Sequence, residues 1–214
     1  MNDILARLLL LNSDDAHEDA LRIMLALGIE AADAEEGSLL VLDEATQELV
    51  FVMTAGDMLT ESALKGQRVL LGQGLSGIAA QTGELQIGTP IHTGVHQPLH
   101  RDQQAPRQLM AAPMRYRERV VGVLTAATYK PERHFSTEQI QMFGSVATLA
   151  GIVVATRQSS QFSGDDDSGV PAAHESPDEL ARLVGETALR IGRSDGARLR
   201  SLLNLLRQVE RLGS

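Results

Sequence analysis

The sequence predicts an α+β domain built on a central antiparallel sheet, on three observations. Two pairs of short β runs, over 38–54 and 107–129, are each joined by a tight polar loop, as in β-hairpins. A glycine-marked stretch, LGQGLSGIAAQTGE at 71–84, stands between the pairs. Segments with helical period stand before the first pair and after the second.

Taken in order, residues 17–34 carry Ala20, Leu21, Met24, Leu25, Leu27 and Ile29 near helical period, behind the capping candidates Asp14 and Asp15. Residues 38–43 and 48–54 are apolar β runs, and Asp43 to Gln47 form the loop of a hairpin. Residues 67–71 read as a third strand and 84–88 as a short fourth. Within 71–84, Gly72 and Gly74 permit backbone angles closed to other residues, and Gly77 lets a helix start pack closely. The second hairpin, 107–116 and 120–129, turns at Arg117 and Glu118. Ser136 followed by Gln139 is a capping box opening a helix from 137 to about 157. In that helix Met142, Val146, Leu149 and Val153 are spaced four, three, four. This stripe fits packing on the back face of the domain's own sheet, or a shared role as core and dimer surface.

Outside the domain, residues 1–15 read as an N-terminal helix. The apolar run in MNDILARLLLL follows an acid and lacks a small-residue cleavage site, unlike a signal peptide. The longest apolar run, 146–155, falls short of the ~20 residues that span a membrane. Residues 158–177, with Asp165, Asp166, Asp167 and two prolines, are expected to be a disordered linker. Ser176 and Pro177 then open a helical extension over 178–214. Leu180, Leu183, Val184 and Ile191 line its first helix; Leu199, Leu202, Leu206 and Val209 line its second. Two helices cannot bury both stripes unaided, so they are expected to dock on the domain, a second copy or a partner. A helix-turn-helix does not fit, because the second helix is too leucine-rich to present a polar recognition face.

The chain has 214 residues, a formal charge of −9, no cysteine, no tryptophan and few other aromatics. Acidity and scarce aromatics argue against nucleic-acid binding. The missing cysteine excludes disulfides, thiolate catalysis, Cys-ligated zinc and iron–sulfur clusters, and fits a reducing cytoplasm. The excess of Arg over Lys fits a GC-rich bacterial gene.

Gly72, Gly74 and Gly77 spell Gly-x-Gly-x-x-Gly, but a hairpin precedes them where a dinucleotide fold needs its first parallel strand. The helix start at 75–78 still offers free amides to an anion. His92, His96 and His100 recur at steps of four, yet Gly94 and Pro98 break a continuous helix. They read as solvated loop histidines, with a metal or haem set, or contacts to an organic ligand, as alternatives. No nucleophile–base set is visible; Ser76 lacks the setting of a hydrolase elbow. Glu35 and Glu36, like Asp14 and Asp15, are expected to be solvated caps. Arg115, Arg117 and Arg119 are expected to form a solvated edge that discourages strand pairing, or a docking patch.

The segments 71–84, LMAAPMRYRERVVGVLTAAT at 109–128 and FSTEQIQMF at 135–143, in this order and spacing, resemble the GAF domain over residues 16–157. The resemblance implies an antiparallel sheet with helices on one face, and short helices and loops over a ligand pocket on the other. It implies a sensory or regulatory role. Bilin attachment and the free methionine sulfoxide reductase activity of some relatives need cysteine, which is missing. The Asn-Lys…Phe…Asp-Glu signature of many cyclic-nucleotide binders is not found. The resemblance therefore implies a stand-alone, non-catalytic, cytoplasmic sensor that binds an unidentified small molecule, as a homodimer. It would signal through dimer geometry or the C-terminal helices. The expected contacts are Leu75, Ser76 and Ile78 at the turn, His92, His96 and His100 in a lid, and Met110 on the facing strand. No cofactor is assigned and no membrane is implied. The alternatives are a ligand-free adaptor whose residues 178–214 clasp a signalling partner, and a haem- or metal-dependent redox protein.

Overall fold

The computed structural model describes residues 14–56, 63–90, 106–131 and 134–162. Most of the expected helix over 1–15, the linker beyond 162 and all of 178–214 lie outside the described residues. The elements are α1 (Asp14–Ala32), β1 (Glu36–Asp43), β2 (Glu48–Ala55), β3 (Arg68–Leu70), α2 (Gly74–Thr82), β4 (Gln86–Gly88), β5 (Gln108–Tyr116), β6 (Arg119–Thr128) and α3 (Thr137–Phe162). The six strands form one curled antiparallel sheet in the order β3-β2-β1-β6-β5-β4. Both expected hairpins are present, and β1 joins them by pairing with β6.

Side chains alternate across a strand, so the register divides the sheet into two faces. Leu40 on β1, Leu49 on β2, Val69 on β3, Ala111 on β5 and Val123 on β6 cluster with Ala79 and Ala80 of α2. The neighbouring positions Leu39, Met110, Ala112, Leu124 and Ala126, all buried, point to the opposite face, under α1 and α3. A bulge at Leu39/Leu40 gives β2 one extra residue. Beyond it Met53 pairs with Leu39 and Thr54 pairs with Ser38, so Thr54 lies on the α2 face.

The helices α1 and α3 run antiparallel. Gln139 Nε2 donates to the Ala32 carbonyl at 3.1 Å near one end, and His17 Nε2 lies 3.3 Å from Thr156 Oγ1 near the other. Between them Gly28 admits the Phe143 ring; a Cβ there would sit 3.2 Å from its Cε2. The stripe Met142, Val146, Leu149 and Val153 shares its side of α3 with Gln139 and Thr156, so it packs toward α1 within one chain. The capping box is reciprocal: Ser136 N–H donates to Gln139 Oε1 at 2.9 Å, and Gln139 N–H to Ser136 Oγ at 3.2 Å. The helix continues past the expected end at 157 to Phe162, because neither glycine nor proline interrupts residues 158–162. Among the described residues one stretch, Thr137–Thr156, is long and apolar enough to cross a membrane by length and composition. Its 20 residues exceed the apolar run seen in the sequence. Phe143, Ala147 and Ala150 in it are fully buried, and its apolar character serves the interior.

Candidate functional site

The site face is organised by α2 and the turn that launches it. Leu70 ends β3, and the chain reverses through Gly72 (φ 79°) and Gly74 (φ 59°), a left-handed backbone that side chains with a Cβ resist. The turn is pinned by backbone bonds: Gln73 N–H to the Leu70 carbonyl at 3.1 Å and Gly72 N–H to the Gly77 carbonyl at 2.8 Å. Gly77 has ordinary helical angles but no space, since a Cβ there would lie 2.3 Å from the Leu70 carbonyl oxygen. The N-cap residue of α2, Gln73, gives no side-chain cap bond, and the first turn carries no acid. At the other end Gly83 takes the left-handed C-cap conformation. Arg115 donates to the Gly83 carbonyl at 3.2 Å, a favourable place for a cation.

Of the expected contacts, Leu75, Ser76 and Ile78 lie half-buried on α2, around the buried Gly77, Ala79 and Ala80. Leu75 reaches across to β4; a Cβ on Gly88 would be 3.4 Å from its Cδ2. Met110 is not brought to them. It is 0% exposed on the opposite face, and its neighbours Leu109 and Ala111 face α2 instead. The period-two pattern gives two faces without saying which one α2 covers. His92, His96 and His100 lie outside the described residues. Among the described residues no three His, Cys, Asp or Glu side chains are grouped to hold a metal.

Register assembles polar residues that the sequence left apart. Thr54, Ser38 and Thr125 stand side by side across β2, β1 and β6 on the α2 face. The Thr125 hydroxyl accepts from Ser38 N–H at 3.0 Å and donates to the Ser38 carbonyl at 3.3 Å. Thr54 is 4% exposed and its hydroxyl has no hydrogen-bond partner among the described residues. Two residues before Ser38 on the same face is Glu36, whose Oε2 accepts from the Tyr129 hydroxyl at 2.5 Å. Glu36 is only 8% exposed, which corrects the expectation of a solvated cap. It sits inside β1, where Gly56 covers it closely enough that a Cβ would fall 2.4 Å from its Cγ. Placing Thr54 beside Ser38 from sequence needed the bulge, which leaves no signal in the apolar pattern.

Arg115, Arg117 and Arg119 are exposed, and Arg115 stands on β5 beyond Leu109–Ala111, the residues that β4 pairs. Arg115 caps α2 and Arg119 pairs with Glu44 at 2.6 Å, while Arg117 occupies the turn at φ 54°. Elsewhere on the rim Arg68 holds Asp43 at 2.9 Å and Glu48 at 3.0 Å, tying β3 to the first hairpin. The Arg68 guanidinium keeps the Asp43 carboxyl below its ordinary range, and Asp43 with Glu48 raises Arg68. For Glu35 partial burial pushes the pKa up, but bonds from Lys130, Thr128 and the Tyr129 N–H outweigh it and hold the group low.

A curled antiparallel sheet, closed on one face by two terminal helices and crossed on the other by a short glycine-launched helix, defines a small α+β regulatory fold. The chain belongs to the GAF domain family: the family model for the GAF domain matches residues 15–155. GAF domains are common sensory and regulatory modules of signalling proteins. Solved structures with this fold include the GAF-B domain of DevS from Mycobacterium smegmatis, at 20% identity and a TM-score of 0.55 over 69% of this chain and 99% of that one. The GAF domain of the Acinetobacter phosphoenolpyruvate-protein phosphotransferase has the same identity and TM-score over 78% and 96%. That of the Coxiella burnetii phosphoenolpyruvate-protein phosphotransferase is 18% identical, with a TM-score of 0.54 over 75% and 98%. Identities at this level show a shared fold alone. Among curated proteins, none matches the chain in sequence.

Proposed function

We propose that this protein is a non-catalytic sensor that binds a small molecule on the α2 face and transmits occupancy through α1, α3 and residues 178–214. The observation that carries this reading is the asymmetry of the sheet. One face is closed by two long helices. The other has, among the described elements, only the nine-residue α2 across it, flanked by half-buried Leu42, Phe51, Leu71, Leu75 and Leu109. Concave apolar surface with a few placed polar groups is what small-molecule sites are made of. Leu75, Ser76 and Ile78 are the proposed contacts from α2, with His92, His96 and His100 as proposed contacts from the segment before β5. The cysteine-free sequence supports a binding rather than a chemical role for this domain. Signalling is a population shift, limited by the ligand's differential affinity for two arrangements of the helices. A homodimer is the proposed working form.

Truncation after Gln158 tests the assignment. A sensor keeps its ligand in residues 1–158 and loses its output; a ligand-free adaptor loses its protein partner and has no ligand to keep. A chain of 1–158 that binds nothing, while the full chain binds a protein through 178–214, would replace the sensor with the adaptor.

A further inference from the structure

Arg115 is touched from both faces of the sheet. Its guanidinium lies on the α2 face, where Nη1 donates to the carbonyl of Gly83, the C-cap of α2, at 3.2 Å. Its main chain lies under α3 on the other face. A Cβ on Gly151 would be 2.5 Å from the Arg115 carbonyl oxygen and 2.7 Å from its nitrogen. Helix backbone there rests on strand backbone, with no side chain between them. The strand is lightly braced at this point. Among the described residues β4 pairs only with Leu109–Ala111, so Arg115 is held sideways by β6 alone. The ladder with β6 carries a bulge there: Met114 pairs with Gly122 and Arg115 with Val120, which leaves Val121 over.

Resting on the sensor reading above, we propose that Arg115 and its bulged stretch of β5 couple α2 to α3. A displacement of the C-terminal end of α2 is passed through the strand to the seat of Gly151. One hydrogen bond, one strand residue and one close backbone contact carry it from the α2 face to the opposite face. The α2 end of this route is adjustable, because the Arg115 side chain is exposed and its bond to Gly83 can be made or lost without opening the interior. The α3 end is stiff: the atoms against Gly151 belong to the main chain, so no side chain can turn aside to absorb a shift. Close-packed interiors transmit strain of this kind. A ligand that draws α2 in or lifts it away therefore changes where α3 sits, within the limit of its differential affinity for the two positions.

Coupling between two sites is an energy, and a double-mutant cycle measures it. The cycle uses the full chain without ligand, with stability read by urea denaturation and local opening by amide hydrogen exchange. Arg115→Ala removes the bond to α2, and Gly151→Ala forces α3 off the strand. If the strand couples them, its displacement in Gly151→Ala already loses the Gly83 bond, and Arg115→Ala then adds little. The combined fall in the folding constant should be smaller than the product of the single falls by about fivefold. Gly144→Ala in the same helix, where a Cβ meets nothing within 4 Å, should combine with Arg115→Ala as a simple product. In the Gly151→Ala protein the Gly83 amide, bonded to the Ala79 carbonyl at 2.9 Å, should exchange about tenfold faster relative to amides in the middle of α1. A combined fall that equals the product within about twofold, or Gly83 exchange that rises no more than exchange in α1, overturns the proposal. Should Gly151→Ala not fold, Arg115→Ala alone decides. The amides of 151–155 should then exchange about threefold faster relative to those of 141–144, with Arg115→Lys restoring the native ratio; an unchanged ratio in Arg115→Ala overturns the proposal. Because the cycle needs no ligand, an additive result removes the coupling and leaves the sensor standing, whereas the sensor fails separately if residues 1–158 bind nothing.

Discussion

Replacing Gly77 by alanine isolates the contact that seats α2 on the sheet. A Cβ at this position would fall 2.3 Å from the Leu70 carbonyl oxygen and 3.2 Å from the Gly72 nitrogen, both backbone atoms of the turn. Flexible side chains can yield to such an intrusion, but here α2 must lift or the turn must open. Overpacking of this kind costs about 1–3 kcal/mol. Opening the turn also endangers the Gly72–Gly77 bond of 2.8 Å, another 0.5–1.5 kcal/mol or so. Alanine returns about 1 kcal/mol through helix propensity. The net loss is then centred near 2 kcal/mol, about 4–8 °C in melting temperature for a chain of this size. Gly144→Ala is the matched control, because Gly144 is inside α3 and a Cβ there meets nothing within 4 Å. It should gain up to about 1 kcal/mol. Circular dichroism melts of the two variants and the native chain decide the matter. A Gly77→Ala protein as stable as the native chain, or stabilised like Gly144→Ala, would show that α2 does not rest on the β3 turn as described.

Three further outcomes follow from the packing and the charges. Phe143→Ala, which empties a fully buried position between α1 and the sheet, should cost about 3–5 kcal/mol in urea denaturation; a loss below 1 kcal/mol would mean α3 does not pack there. Ser136→Ala removes half of the reciprocal capping box and should cost about 1 kcal/mol, with the native value restored by Ser136→Asp. Asp43 and Glu35 both have lowered pKa values, so below about pH 5 the unfolded chain takes up protons more readily. The stability they contribute is present above their unfolded values and is lost as the pH falls through the folded ones. Stability measured from pH 6 to pH 3 should therefore decline, less steeply in Asp43→Asn; an identical acid limb in that variant would contradict the Arg68 pairing.

The readable parts of this sequence are those set by neighbours along the chain. Gly72, Gly74, Ser136 and Gln139 announce a turn and a cap through local geometry, and those features are where the residues placed them. Short apolar β runs joined by polar loops marked the hairpins. What alternation cannot supply is which face each run turns to the core, and that is why Met110 was assigned to the wrong side. A bulge then reverses the assignment partway along β2, bringing Thr54 rather than Met53 beside Ser38. Glu36 looked like a cap because acids at helix–strand junctions are usually solvated; its burial depends on Gly56 and Tyr129, distant in sequence. The four-three-four stripe of α3 carried no sign of its partner, because an antiparallel neighbour and a second chain demand the same spacing.

The most direct test of the sensor assignment is native mass spectrometry of the full chain, purified gently from the cells that make it and without refolding. The account predicts a stoichiometric small-molecule adduct that collisional activation releases at a defined mass, and that Leu75→Arg protein lacks. A protein that is empty under these conditions, and stays empty when incubated with the small-molecule extract of the same cells, would contradict it.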